Sequence, residues 1–151
     1  MLRKVLAPSG FCRVLVLSGV LALLLVSAPA EAKEGADPIT VTAKLVEIPA
    51  KFPPDDLYDY AFVMRYQVTD GALAGKSILV AHYKPRQPRS RIKGPMKEHV
   101  GGKLRNFTEG ATHKLKLSPD LKAIWKGALI DEFAATDRKS VRYWALEADK
   151  A

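Results

Sequence analysis

Tyr58 to Thr69 reads YDYAFVMRYQVT, and its alternation decides the fold class. Tyr58, Tyr60, Phe62, Met64, Tyr66 and Val68 share one face of an extended chain. Asp59, Ala61, Val63, Arg65 and Gln67 share the other. Successive strand side chains point to opposite faces, so this period predicts an antiparallel strand with one covered face.

The flanks of this strand are equally directional. Upstream, Pro49 to Asp56 (PAKFPPDD) carries adjacent prolines that exclude a strand or helix interior, and Asp55-Asp56 reads as a turn. Before it, Ile39 to Ile48 alternates again, with Val41, Ala43 and Leu45 inward. Downstream, Asp70-Gly71 and Gly75-Lys76 mark a turn. Ser77 to Tyr83 (SILVAHY) is apolar on both faces and predicts a central strand. Gly110 to Leu117 predicts a further strand, with Leu115 and Leu117 inward. Ser118-Pro119-Asp120 predicts a helix start with Ser118 as N-cap. A short helix carrying Leu121, Ile124 and Trp125 on one face would stop at Gly127. Ala128 to Phe133 and Val141 to Glu147 close the tally as strands. Five or six strands and one short helix predict a mainly β protein, a small antiparallel barrel of the oligonucleotide/oligosaccharide-binding (OB) type. A β-sandwich is the alternative, but it needs about seven strands.

The run Gly75-Lys76-Ser77-Ile78-Leu79-Val80-Ala81-His82-Tyr83 follows a strand containing Tyr66-x-Val68. It precedes Gly110, His113-Lys114-Leu115-Lys116-Leu117 and a closing Tyr143-Trp144. This order resembles uncharacterised secreted bacterial OB-like proteins. They are associated with loci for membrane-bound O-acyltransferases and SGNH-type esterases that acylate cell-surface polysaccharide. The resemblance covers most of the domain. It implies a periplasmic accessory or binding role and supplies no catalytic residue.

The N-terminus predicts export. Met1-Leu2-Arg3-Lys4 is positive, Val14 to Ala28 is uncharged and apolar, and Ala28-Pro29-Ala30-Glu31-Ala32 is rich in small residues. That order is a signal peptide over residues 1–32, cleaved after Ala30 or Ala32. The apolar run is shorter than the ~20 residues of a spanning helix. The expected location is periplasmic or secreted. Cys12, the only cysteine, leaves with the signal, so the mature chain has no disulfide. Residues 33–38 read as a flexible leader and 39–151 as one domain.

The chain carries a net charge of +8, and most of it is local. Between Lys84 and Arg105 lie Lys84, Arg86, Arg89, Arg91, Lys93, Lys97, Lys103 and Arg105, against Glu98 alone. A concentrated positive field suggests a site rather than general solubility. Pro85 and Pro88 stiffen the approach to it. Arg89, Arg91 and Lys93 alternate, so an extended backbone would aim all three the same way. Arginine suits two-pronged contact with carboxylate or phosphate. These cations, with His82 and Tyr83 at the end of the preceding strand, form the expected ligand-binding set. An acidic polysaccharide fits an exported domain best. The alternative is docking onto a membrane acyltransferase or esterase complex, with the loop against lipid headgroups. Nucleic acid suits a basic OB groove chemically, but export makes it the weaker partner.

Catalytic patterns are missing from the sequence. His82, His99 and His113 lack metal-ligand spacing. Asp55-Asp56 and Asp131-Glu132 are adjacent, so on a strand each pair splits between faces. Ser77 and Ser140 lack a G-x-S-x-G setting. The reading is a non-enzymatic domain without cofactor or metal, and a small hydrolase is the third alternative.

Overall fold

The computed structural model describes residues 36–151; the expected signal peptide and the start of the leader lie outside the described residues. Seven strands follow in order: β1 (Ile39–Glu47), β2 (Tyr60–Gly71), β3 (Ser77–Tyr83), β4 (Gly101–Gly102), β5 (Thr112–Ser118), β6 (Ala128–Ile130) and β7 (Arg142–Lys150). One α-helix, α1 (Leu121–Ile124), precedes β6. The protein is mainly β, as the alternation predicts.

Five strands close a barrel in the order β1-β5-β7-β3-β2, with β1 returning to pair β2. Counted by themselves in chain order, they run 1-2-3-5-4 around the ring, which is the OB arrangement. β3 and β7 are parallel, Leu79 opposite Arg142 and Ala81 opposite Trp144, so the barrel is mixed rather than wholly antiparallel. The other barrel pairs are antiparallel. β1 must bond two neighbours around a tight curve. Its pairing with β2 carries an extra residue in β1 at Val46 and one in β2 at Thr69, and bulged strands bend at such points. β4 and β6 are short additions: β4 lies beside β7, and β6 pairs the start of β2.

β2 and β3 are buried on both faces, and this makes two cores. Tyr60, Phe62, Met64, Tyr66, Ile78 and Val80 fill the barrel with Val41, Leu45, Leu115 and Leu117. Ala61, Val63, Leu79, Ala81 and Tyr83 face outward, yet they too are covered. Ile92 and Val100 from the basic segment, Leu121 and Phe133 from the β5–β7 connection, and Trp144 of β7 close over them. Trp125 stacks on Trp144 at 6.0 Å and meets Tyr83 edge-on at 5.4 Å. The outer face of the second and third strands is where OB barrels commonly hold oligomers. Here the chain's own connections occupy it.

Three local expectations are corrected. Tyr58 is exposed and β2 starts at Tyr60, because the turn at Asp55–Leu57 holds the preceding chain off the sheet. The cap of α1 is Asp120, whose side chain accepts from the Ala123 amide, while Ser118 ends β5 and accepts from the Asp120 amide. The basic segment is not extended: Arg89–Arg91 and Gly94–Glu98 are 3-10 turns, the second opened by Pro95 in its first turn.

β4 lies hard against β7. Gly102 has φ of 96°, and a Cβ there would collide with the Ala148 carbonyl oxygen. Gly75 also has positive φ, 83°, but nothing lies within 4 Å of its would-be Cβ. Gly102→Ala is expected to lower unfolding free energy by at least ~2 kcal/mol, and Gly75→Ala by about 1 kcal/mol. Urea midpoints of the two variants check the difference.

Candidate anion-binding site

The site begins where β3 ends. Lys84 follows the last residue of β3 with φ of 37°, a left-handed conformation unusual for a residue with a side chain. Four contacts hold it there. Its amide donates to the Tyr60 carbonyl at 3.1 Å. Its ammonium donates to the Asp55 carbonyl at 3.1 Å and pairs with the Asp59 carboxylate at 2.6 Å. Its own carbonyl accepts from Arg89 Nη2 at 2.6 Å. The bond from Lys84 holds the Asp59 carboxyl below its ordinary range and raises the lysine in turn.

Arg89 does not face solvent with its neighbours. It is 3% exposed and runs back under the loop. Nη2 also donates to the Gln87 carbonyl at 3.0 Å, and the backbone amide donates to the Leu104 carbonyl at 2.9 Å. Its guanidinium lies 5.5 Å from the centre of the Phe107 ring. No carboxylate pairs with it among the described residues. Burial pushes its pKa down to about 10, so it remains a cation at neutral pH.

Beneath it sits a buried polar group. Tyr66 Oη lies 3.1 Å from His82 Nε2 and 3.2 Å from His113 Nδ1. The hydroxyl donates one proton and accepts one, so one imidazole is donor and the other acceptor. Phe107 packs 4.5 Å from the His82 ring and 5.7 Å from that of His113. Burial drives His82 well below its ordinary value, and the charge of Arg89 adds to it. Burial lowers His113 as well. Both histidines are core residues hydrogen-bonded to Tyr66.

With Arg89 inward and Lys84 paired, the remaining loop cations divide. A cavity of about 1070 Å³ opens between the loop and the end of β3, and it is lined by Asp59, Tyr83, Lys84, Arg86, Gln87, Pro88, Arg91, Lys93, Gly94, Pro95 and Met96. Arg86, Arg91 and Lys93 are exposed and make no ion pair among the described residues. Lys97, Lys103 and Arg105 are exposed outside this cavity. The structure therefore brings together Tyr83, Lys84, Arg86, Arg91 and Lys93 from the expected set. It separates off the last three cations, and it buries His82 and Arg89. A second cavity, of about 620 Å³, is lined by Lys51, Phe52, Pro54 and Arg86. Lys51 and Phe52 were invisible as site residues in sequence, because they lie more than thirty positions before the basic segment.

The loop is held by more than Arg89. Ile92 and Val100 are buried in the outer core, and the Trp144 indole donates to the His99 carbonyl at 2.8 Å. Elsewhere, Asp131 is bonded to Arg142 Nε at 2.8 Å. No cluster of three or more His, Cys, Asp or Glu suited to a metal occurs among the described residues. No helix among them is long and apolar enough to cross a membrane.

No protein-family model matches this chain. No curated protein and no solved structure matches it either.

The buried histidines make stability depend on pH. Their folded pKa values lie below the unfolded value of 6.5, so the unfolded chain binds more protons in mild acid. Stability is complete above about pH 7 and falls as pH drops below 6.5, by up to ~1.4 kcal/mol per pH unit for each histidine. Urea unfolding at pH 7.5 and 5.0 measures the loss, and His82→Gln is expected to shrink it.

Proposed function

We propose that this chain is a non-enzymatic binding domain for an acidic polymer, with cell-surface polysaccharide the class that suits an exported protein. One observation carries the reading: Arg86, Arg91 and Lys93 line a single cavity, exposed and without acidic partners among the described residues.

Three physical points support it. Anchoring from below orders the loop before any ligand arrives, which reduces the entropy lost on binding. A guanidinium presents a fork matched to carboxylate, sulfate or phosphate. A single exposed ion pair contributes only about 0.2–1 kcal/mol, so useful affinity needs several contacts made together. A polymer supplies them, because each contact raises the effective concentration for the next. The covered outer face of β2 and β3 leaves the rim as the place for such a ligand.

The test is binding of polygalacturonate, with neutral dextran as control, at 20 and 300 mM salt. Polygalacturonate is expected to bind at low salt and to weaken at high salt, because solvent-exposed charge contacts are screened. Changing Arg86, Arg91 and Lys93 together to Ala should reduce affinity roughly tenfold or more. Changing Lys97, Lys103 and Arg105 together should reduce it far less. Equal losses from the two triple changes would make the attraction diffuse and remove the cavity from the account.

A further inference from the structure

We infer that the ligand track continues from the main cavity across Arg86 to Lys51 and Phe52, so that the site accepts a linear chain of ring-bearing anionic units rather than one isolated anion. This rests on the reading of Arg86, Arg91 and Lys93 as an anion site and adds the shape of the ligand to it. Arg86 is the shared wall. It lines the main cavity and also the second one, whose other walls are Lys51, Phe52 and Pro54.

The two cavities belong to connections distant in sequence. Antiparallel pairing of Ala61 with Tyr83 sets the start of β2 beside the end of β3, so the chain entering β2 meets the chain leaving β3. That meeting is locked on both sides. Tyr60 Oη lies 3.0 Å from both the Pro53 carbonyl and Asp55 Oδ1, donating its proton to one of these acceptors. From the other side, the Lys84 ammonium donates to the Asp55 carbonyl. The path of residues 51–55 is thereby fixed relative to the basic loop, and adjacent prolines at 53 and 54 stiffen it further.

The chemistry along the track then alternates. Arg91 and Lys93 line the main cavity, Lys51 and Phe52 the second, and Arg86 lines both. Phe52 shares the second cavity with Lys51 and Arg86. Its ring is held edge-on to Phe62 at 4.9 Å and 90°, and it remains half-buried beside the cavity. An aromatic surface sharing a cavity with two cations suits the apolar face of a sugar ring that carries acidic groups. Of the three carboxylates on this connection, Asp55 lies within hydrogen-bond distance of Tyr60, and Asp59, in the wall of the main cavity, is paired with Lys84. Asp56 is exposed.

Oligogalacturonides of two, four and eight units, titrated against the protein by calorimetry at low salt, test the track. The inference expects affinity to rise with length. Lys51→Ala should weaken the eight-unit chain roughly threefold or more, with the two-unit ligand unchanged. Phe52→Leu keeps an apolar side chain against Phe62. It should weaken the longer chains without changing how steeply affinity falls with salt, since no charge is removed. Binding that is the same at every length and insensitive to Lys51→Ala would overturn the track and leave the anion site standing. Binding of no oligomer and no polygalacturonate would overturn both.

Discussion

A guanidinium buried without a carboxylate is the constraint on which the basic segment depends. Taking a cation out of water costs several kcal/mol even after relaxation. Arg89 offsets this with two backbone carbonyls, those of Lys84 and Gln87, and with the face of Phe107. Both carbonyls come from the turn that carries the loop away from β3. The side chain therefore draws that turn down onto the barrel, and the loop cannot lift without exposing the cation's hydrogen bonds. Both bonds are made by one nitrogen, Nη2, while the buried Nε has no partner among the described residues. Burial keeps both neighbouring histidines neutral, and the charge of Arg89 adds to it at His82, which suits an interior where Tyr66 needs one donor and one acceptor.

Closure of the barrel and coverage of its outer face are linked. The parallel contact of β3 with β7 brings Trp144 beside Ala81, and Trp144 is the centre of the second core. Its indole holds the His99 carbonyl, while Trp125 and Leu121 pack from the β5–β7 connection. The strand that completes the barrel thus also anchors both connections over β2 and β3. The outer face of β2 and β3 is converted into interior, and the open cavity lies at the rim, where Tyr83 passes from the core into the cavity wall.

Much of this was legible in the residues. Alternation over Tyr58 to Thr69 marked the longest strand, and apolarity on both faces of Ser77 to Tyr83 marked a central one. The two-sided burial of Ala61 and Val63 is present in the pattern too, but Arg65 and Gln67 continue the same side in polar form, so the alternation predicts one covered face. The local concentration of charge was visible as well. The direction of each cation was not. Alternation implies a shared face only on an extended backbone, and Pro88 and Pro95 instead lead into 3-10 turns. There Arg89 and Arg91 diverge, one inward and one outward. Partnerships across the fold were equally hidden: nothing near Lys84 in sequence announces Asp59, and nothing near Arg86 announces Lys51.

The charge of the segment therefore overstates some of its cations and understates one. Lys84 is cancelled by Asp59 at 2.6 Å. Lys97, Lys103 and Arg105 stand outside the cavity, where salt screens them. Arg89 is compensated by carbonyl dipoles and the Phe107 ring rather than by a carboxylate, and their fields fall off faster than a charge's. Its residual field is set in low-dielectric surroundings that screen weakly. Gln87 and Pro88, its immediate neighbours, line the cavity. In the proposed site, an anion against Arg86, Arg91 and Lys93 would feel the field of a fourth cation, behind Gln87 and Pro88. Because that cation sits in the interior, its contribution persists at salt concentrations that screen the exposed three. Under the proposed function, the residue that shapes the loop would also strengthen the site, tying recognition to the same buried contact that positions it.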